Sequence, residues 1–198
     1  MFDFSLIDVS AVTGLTAMCL LSLNILMGLL LATNYNSLKQ WPHRKLPWPL
    51  FRIHNWTGYS ALCVAALHPT ILLLAGTNPK FAIGDLLLPV RSPYQTFYNS
   101  LGALTFYSFA LVATTSYFRQ KLGRGLWKKL HYTTYFGAPT MFIHGALIDQ
   151  YLKGQTPDFL DGEKVLVEVC CLIVATAATW RWRHGLKINR YRTDSPPR

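Results

Sequence analysis

Residues 52–69 read RIHNWTGYSALCVAALHP and residues 127–147 read WKKLHYTTYFGAPTMFIHGAL. Each stretch carries two histidines, His54 and His68 in the first and His131 and His144 in the second, separated by mostly apolar sequence. An ionisable side chain in an apolar span costs free energy unless it is partnered, so its default reading is functional. The separations are 14 and 13 residues. At about 1.5 Å rise per residue each is roughly 20 Å, which sets one imidazole toward each end of a helix. If both helices run the same way, His54 is level with His131 and His68 with His144, and two helices side by side can grip two flat ligands between facing imidazoles. A step of 14 residues at about 100° per residue ends about 40° short of the same face, whereas a step of 13 ends near 220° and points the rings apart. Pro139 lies between the second two histidines, and the kink that a proline introduces offers a way to re-aim His144.

Around these stretches the chain is apolar throughout. Of its 198 residues 51% are hydrophobic and 14% charged, about half the charged fraction of a soluble domain. The apolar residues fall into five blocks, 11–32, 54–76, 96–118, 129–150 and 164–184. Each is long enough to cross a hydrocarbon layer of about 30 Å. The expected fold is an all-α integral membrane protein, a single domain over 1–198 of about five transmembrane helices, with no room for a flavin or nucleotide domain. The first block lacks a basic start and a small-residue cleavage pattern, so it reads as a retained span.

The net charge of +10 would suit nucleic acid if it lay on a soluble face, but its distribution speaks for topology instead. Fifteen of the nineteen Lys and Arg sit in alternate connections and the tail: Lys39, Arg44, Lys45 and Arg52; Arg119, Lys121, Arg124, Lys128 and Lys129; Arg181, Arg183, Lys187, Arg190, Arg192 and Arg198. The other four are Lys80, Arg91, Lys153 and Lys164. Retention of Lys and Arg on the cytoplasmic side puts the N-terminus outside and the C-terminus inside. The six tryptophans, Trp41, Trp48, Trp56, Trp127, Trp180 and Trp182, fall at or near the same inner face and read as interfacial anchors. His43 and His184 lie in basic interfacial stretches and read as solvated. Cys19, Cys63, Cys170 and Cys171 have no Cys-x-x-Cys spacing and read as small apolar fillers.

The ligand that asks for two imidazoles across a planar ring is heme, and helix bundles build such sites from facing side chains. The two quoted stretches, with the Trp-x-x-Leu-His-x-x-x-Tyr context of Trp127, Leu130, His131 and Tyr135, resemble the ferric reductase-like transmembrane domain. That domain is shared by ferric reductases, NADPH oxidases and the heme-binding membrane subunit of bacterial methionine sulfoxide reductase systems. The resemblance covers about residues 50 to 185. It implies two hemes b, an inner one ligated by His54 and His131 and an outer one by His68 and His144, with electrons crossing from the cytoplasmic side to the outside. It implies a multi-pass protein of the bacterial inner (plasma) membrane. Family members commonly have six spans, and the oxidases and ferric reductases carry FAD and NADPH domains; five spans are counted here. The donor is then a partner, a flavoprotein, a bound flavin or a quinol, with a flavin or quinone open as a further cofactor. The acceptor is ferric iron, oxygen, a quinone or an outer redox protein.

Around the inner histidines, Arg52 could neutralise a heme propionate, as could Lys128 or Lys129. Gly58 and Gly137, with no side chain, would either admit a porphyrin close to the backbone or ease helix packing. The segment 77–95 is too short to span and reads as interfacial, with Lys80 or Arg91 near the outer site. Glu168 could serve a proton route or reach water near the surface, and Tyr107 could hydrogen-bond across the bundle. The chain is expected to be the membrane electron-transfer component of an oxidoreductase rather than a complete enzyme, with no catalytic residue of its own. Two rivals stand beside this reading, a membrane anchor or assembly subunit of a larger redox complex and a metal-ion or proton transporter. The transporter would call for carboxylates or thiols about a midplane site.

Overall fold

The computed structural model describes residues 5–32, 50–149 and 156–193. His43, Trp41 and Trp48, Lys39, Arg44 and Lys45, and Lys153 and Arg198 lie outside them. Among the described residues there are seven α-helices and no strand: α1 (Leu6–Ala32), α2 (Leu50–Leu72), α3 (Ile83–Leu87), α4 (Thr96–Tyr117), α5 (Arg119–His131), α6 (Thr134–Leu147) and α7 (Gly162–Thr193). A short 3₁₀ turn, Pro89–Arg91, follows α3. Two segments, Leu6–Ala32 and Gly162–Gly185, are long and apolar enough by themselves to cross a membrane. α2 and α4, the expected second and third spans, are less apolar because they carry polar groups such as His54 and Thr57 on α2 and Thr105 and Ser108 on α4. The expected fourth is divided between α5 and α6, of 13 and 14 residues, each too short to cross by itself.

α1 lies along α2, α4 lies along α6, and α7 leans on α1 and α6. Both close alignments are antiparallel, as their cross-links show. Ser10 bonds His68 while Asn24 bonds His54, and Tyr98 bonds His144 while Ser116 meets His131. The core, Met18, Leu21, Ala61, Phe109, Met141, Phe142, Val167 and Val174, fills the middle. Ala61, completely buried, stands seven residues from His54 and seven from His68. Its missing bulk lets Leu21 and Phe109 close over the centre, where Thr105 donates a hydrogen bond to Thr140 at 2.9 Å. Cys19, Cys170 and Cys171 are free thiols packed against this core.

The expected fourth span is interrupted, which corrects the reading of 129–150 as one helix. α5 ends at His131 and α6 begins at Thr134. Between them the backbone tightens: Thr133 N–H bonds Leu130 O at 3.1 Å, Tyr135 N–H bonds Tyr132 O at 3.0 Å and Phe136 N–H bonds Thr133 O at 3.0 Å. These are i to i−3 bonds, and roughly five residues turned at about 120° rather than about 100° add about 100° of rotation. The step from His131 to His144 then ends near 320°, about where the step from His54 to His68 ends. The re-aiming expected of Pro139 is thus done upstream of it, and Pro139 sits inside a continuous α6.

Candidate functional site

The four histidines meet in two couples. The ring centroids of His54 and His131 lie 6.4 Å apart and those of His68 and His144 lie 6.5 Å apart. Two imidazoles bound through nitrogen to one metal at about 2 Å each put their ring centres about 6.3 Å apart. Both couples have that dimension. Among the described residues no group of three or more His, Cys, Asp or Glu could hold a metal ion.

Three of the imidazoles are held by a backbone carbonyl at Nδ1. His54 Nδ1 meets the carbonyl of Asn24 at 3.1 Å, His68 Nδ1 that of Ser10 at 2.7 Å and His144 Nδ1 that of Tyr98 at 2.8 Å. A carbonyl only accepts, so Nδ1 carries the proton in these three, and the lone pair lies on Nε2. A ligating imidazole requires this arrangement, in which the second nitrogen donates to a carbonyl and fixes the ring. His131 differs, since its Nδ1 lies 3.4 Å from Ser116 Oγ, which accepts from Trp127 Nε1–H at 3.2 Å.

On α1 the holding contacts run both ways. Ser10, itself buried, donates its hydroxyl to the His68 carbonyl at 2.8 Å. The Asn24 amide donates to the His54 carbonyl and to Thr57 Oγ1. One residue on α1 therefore fixes both the backbone and the ring of each histidine on α2. Four residues further on, α1 has a glycine each time. A Cβ at Gly14 would stand 2.9 Å from His68 Nδ1, and one at Gly28 3.2 Å from His54 Cε1. Gly102 on α4, four residues after Tyr98, does the same for His144 at 2.8 Å. Glycine is required by this close approach of ring to backbone.

Beside the His68–His144 couple lies a mostly apolar cavity of about 540 Å³, bordered by Gly14, Gly102, Phe106 and Lys164 among others. That is within the usual range for a cofactor site, about 300–1,000 Å³. Buried Lys164 donates to the carbonyls of Gly145, at 3.0 Å, and Ile148, closing the C-terminal end of α6 just beyond His144. The dimensions, the fixed tautomer of three rings and this cavity fit a heme with two axial imidazoles.

The other residues expected at the site fall as follows. Arg52 is exposed, on the first turn of α2 two residues before His54. Gly58 faces the Asn24 side chain, with a Cβ 3.2 Å from Nδ2, and Gly137 faces Ser108 at 3.1 Å, so their immediate neighbours are packed helices. Lys128 and Lys129 are exposed, the former with its ammonium 5.8 Å from the Tyr132 ring. Lys80 and Arg91 are exposed, and Glu168 is half-buried. Tyr107 donates to the Leu87 carbonyl at 2.6 Å, tying α4 to α3. His184 stacks on Trp180 at 5.6 Å, and both Trp56 and Trp182 are exposed. Sequence reasoning missed Ser10, Gly14, Asn24, Gly28, Tyr98, Gly102 and Ser116. The signal for the first four was present, because Ser10 to Asn24 and Gly14 to Gly28 are 14 residues, the same step as His54 to His68.

The all-α bundle thus sets two facing imidazole couples at two levels along its helices. The model of the ferric reductase like transmembrane component matches residues 13–142, about two thirds of the chain. The chain belongs to that family. Three of the four histidines lie within the matched residues, and His144 follows two residues after their end. No curated protein and no solved structure matches the chain. Membership makes it an integral membrane protein with a transmembrane electron-transfer role, set in a lipid bilayer and working with redox partners.

Proposed function

We propose that the chain is a two-heme electron conduit, with His54 and His131 holding an inner heme b and His68 and His144 an outer one. The observation that carries this is the pair of centroid separations, 6.4 and 6.5 Å, in couples whose Nδ1 atoms are already engaged. A heme held between two such imidazoles would supply one-electron redox chemistry. The protein's part is to orient the imidazoles, exclude water and tune potential. α1 and α4 orient the rings through the carbonyls of Ser10, Asn24 and Tyr98. The central layer of Leu21, Ala61, Phe109 and Met141 keeps the two sites apart.

The inner end is assigned to the His54–His131 couple by its basic surroundings. There the Arg119 guanidinium lies over the Phe51 ring at 4.4 Å and Arg181 Nη1 donates to the Tyr135 hydroxyl at 2.6 Å. This agrees with an N-terminus outside and a C-terminus inside. Arg52 is the residue we assign to a propionate of the inner heme. Electrons enter from a separate donor, a flavoprotein, flavin or quinol, and leave to an acceptor on the outer face. The test is reduced-minus-oxidised absorbance of the purified chain with heme quantified per polypeptide. Two hemes b per chain are expected; a well-folded colourless preparation would overturn the reading.

A further inference from the structure

Three of the four imidazoles obey one rule, and the fourth breaks it at a single residue. On α1, Ser10 with Gly14 serves His68, and Asn24 with Gly28 serves His54; on α4, Tyr98 with Gly102 serves His144. In every case a backbone carbonyl takes the Nδ1 proton and a glycine four residues later makes room for the ring. The two sets on α1 are 14 residues apart. The same step on α4 carries Tyr98 to Val112 and Gly102 to Ser116. At the His131 position, therefore, a serine stands where the rule has glycine. The Val112 carbonyl, which stands where the rule has the acceptor, lies 3.2 Å from the Thr115 hydroxyl, whose shorter contact, 2.7 Å, is to the Leu111 carbonyl. His131 Nδ1 meets Ser116 Oγ instead, at 3.4 Å, and that oxygen already accepts the Trp127 indole N–H at 3.2 Å.

We propose that Ser116 is the positioning residue that sets the inner site apart: its hydroxyl, shared between Trp127 Nε1 and His131 Nδ1, replaces the carbonyl that orients the other rings and raises the reduction potential of the inner heme. The physical reason is ligand basicity. A strong acceptor on Nδ1–H makes the imidazole a better electron donor through Nε2 and favours the ferric iron. A hydroxyl oxygen at 3.4 Å that also accepts an indole N–H is a weaker acceptor than the backbone carbonyls that hold the other three rings at 2.7–3.1 Å. The His131 ring is held by packing in its place, with its centroid 5.2 Å from that of Trp127. The electron balance is that of the conduit itself, one electron onto and off each iron, and needs no further reactant.

The inference rests on the two-heme reading, so heme content is measured first; fewer than two hemes in the parent chain is a failure of that reading and not of this one. Given two, redox titration followed by absorbance compares the parent with Ser116→Gly, Ser116→Thr, Trp127→Phe and the control Ser100→Ala. Ser100 bonds only within α4, to the Thr96 carbonyl at 2.7 Å. His144→Ala, expected to keep the inner heme alone, identifies which transition belongs to it. Ser116→Gly removes the hydroxyl and makes room for the ring to approach the Val112 carbonyl, and is expected to lower the reduction equilibrium constant of the inner heme threefold or more, leaving the outer heme unmoved. Ser116→Thr keeps the hydroxyl and should stay within twofold of the parent, as should Ser100→Ala. Trp127→Phe frees the committed lone pair and should shift the inner heme in the same direction as Ser116→Gly, by less. Should Ser116→Gly release the inner heme, Trp127→Phe decides alone. An inner transition within twofold of the parent in the deciding variants, or an equal shift of both hemes, would overturn the proposal.

Discussion

The imidazole of His144 lies against the bare Cα of Gly102, so closely that a Cβ there would stand 2.8 Å from Cε1 and 3.1 Å from both ring nitrogens. The ring cannot retreat without stretching its 2.8 Å contact to the Tyr98 carbonyl. Gly102→Ala is therefore expected to displace the ring and lose the outer heme. Gly14→Ala, 2.9 Å from His68 Nδ1, should do nearly as much, and Gly28→Ala, 3.2 Å from His54 Cε1, should keep most of the inner heme. Heme per chain measures the series, and equal retention in all three would contradict the close-approach account.

Truncating one imidazole should empty one site and spare the other, because the two couples share no ligand. His68→Ala and His144→Ala are expected to retain one heme of the inner type, His54→Ala and His131→Ala one of the outer type. Loss of both hemes from every variant, with the bundle still folded, would show that the sites are not independent.

Ala61 has no exposed surface and sits where α1, α2 and α4 close on one another. Ala61→Leu inserts three carbons into a filled layer, which typically costs about 1–3 kcal/mol. The expected result is a lower thermal midpoint in detergent, and an unchanged midpoint would mean that the centre has spare volume.

Lys164 closes α6 by donating to two of its terminal carbonyls, and hydrogen bonds to a charged group contribute about 1.5–3 kcal/mol. Lys164→Met keeps the apolar stem and removes the donors. Outer heme should then dissociate faster, since His144 sits on the turn that is loosened. Lys164→Arg should recover part of the loss. Identical release rates for parent and Met variant would separate this cap from the site.

The continuous apolar runs of α1 and α7 announce themselves in the sequence, and so do the four histidines, because intramembrane imidazoles are costly enough to be conspicuous. The break between α5 and α6 was not visible, since Tyr132 and Thr133 carry no turn signal and the 3₁₀ tightening depends on what packs around it. The acceptors were hidden for a different reason. Tyr98 and Asn24 act on the rings through backbone carbonyls, which every residue has, so side-chain identity gives no hint. Gly14 and Gly28 could have been found from their shared spacing with His54 and His68, but only after α1 is known to run antiparallel to α2. Gly58 and Gly137 drew attention by standing near histidines in the sequence, whereas the glycines against the rings come from neighbouring helices.

Because the intervals on α1 reproduce the interval on α2, the two helices form a matched ruler. One residue inserted between Gly14 and Gly28 would swing one holding station by about 100° and slide it about 1.5 Å, stranding one imidazole whichever end is kept in place. Residues 10–28 and 54–68 can therefore drift in composition but change length only in concert and by whole turns. Single-residue deletions between residues 14 and 28 should each cost one heme, while those after residue 156 and before α7 should cost neither.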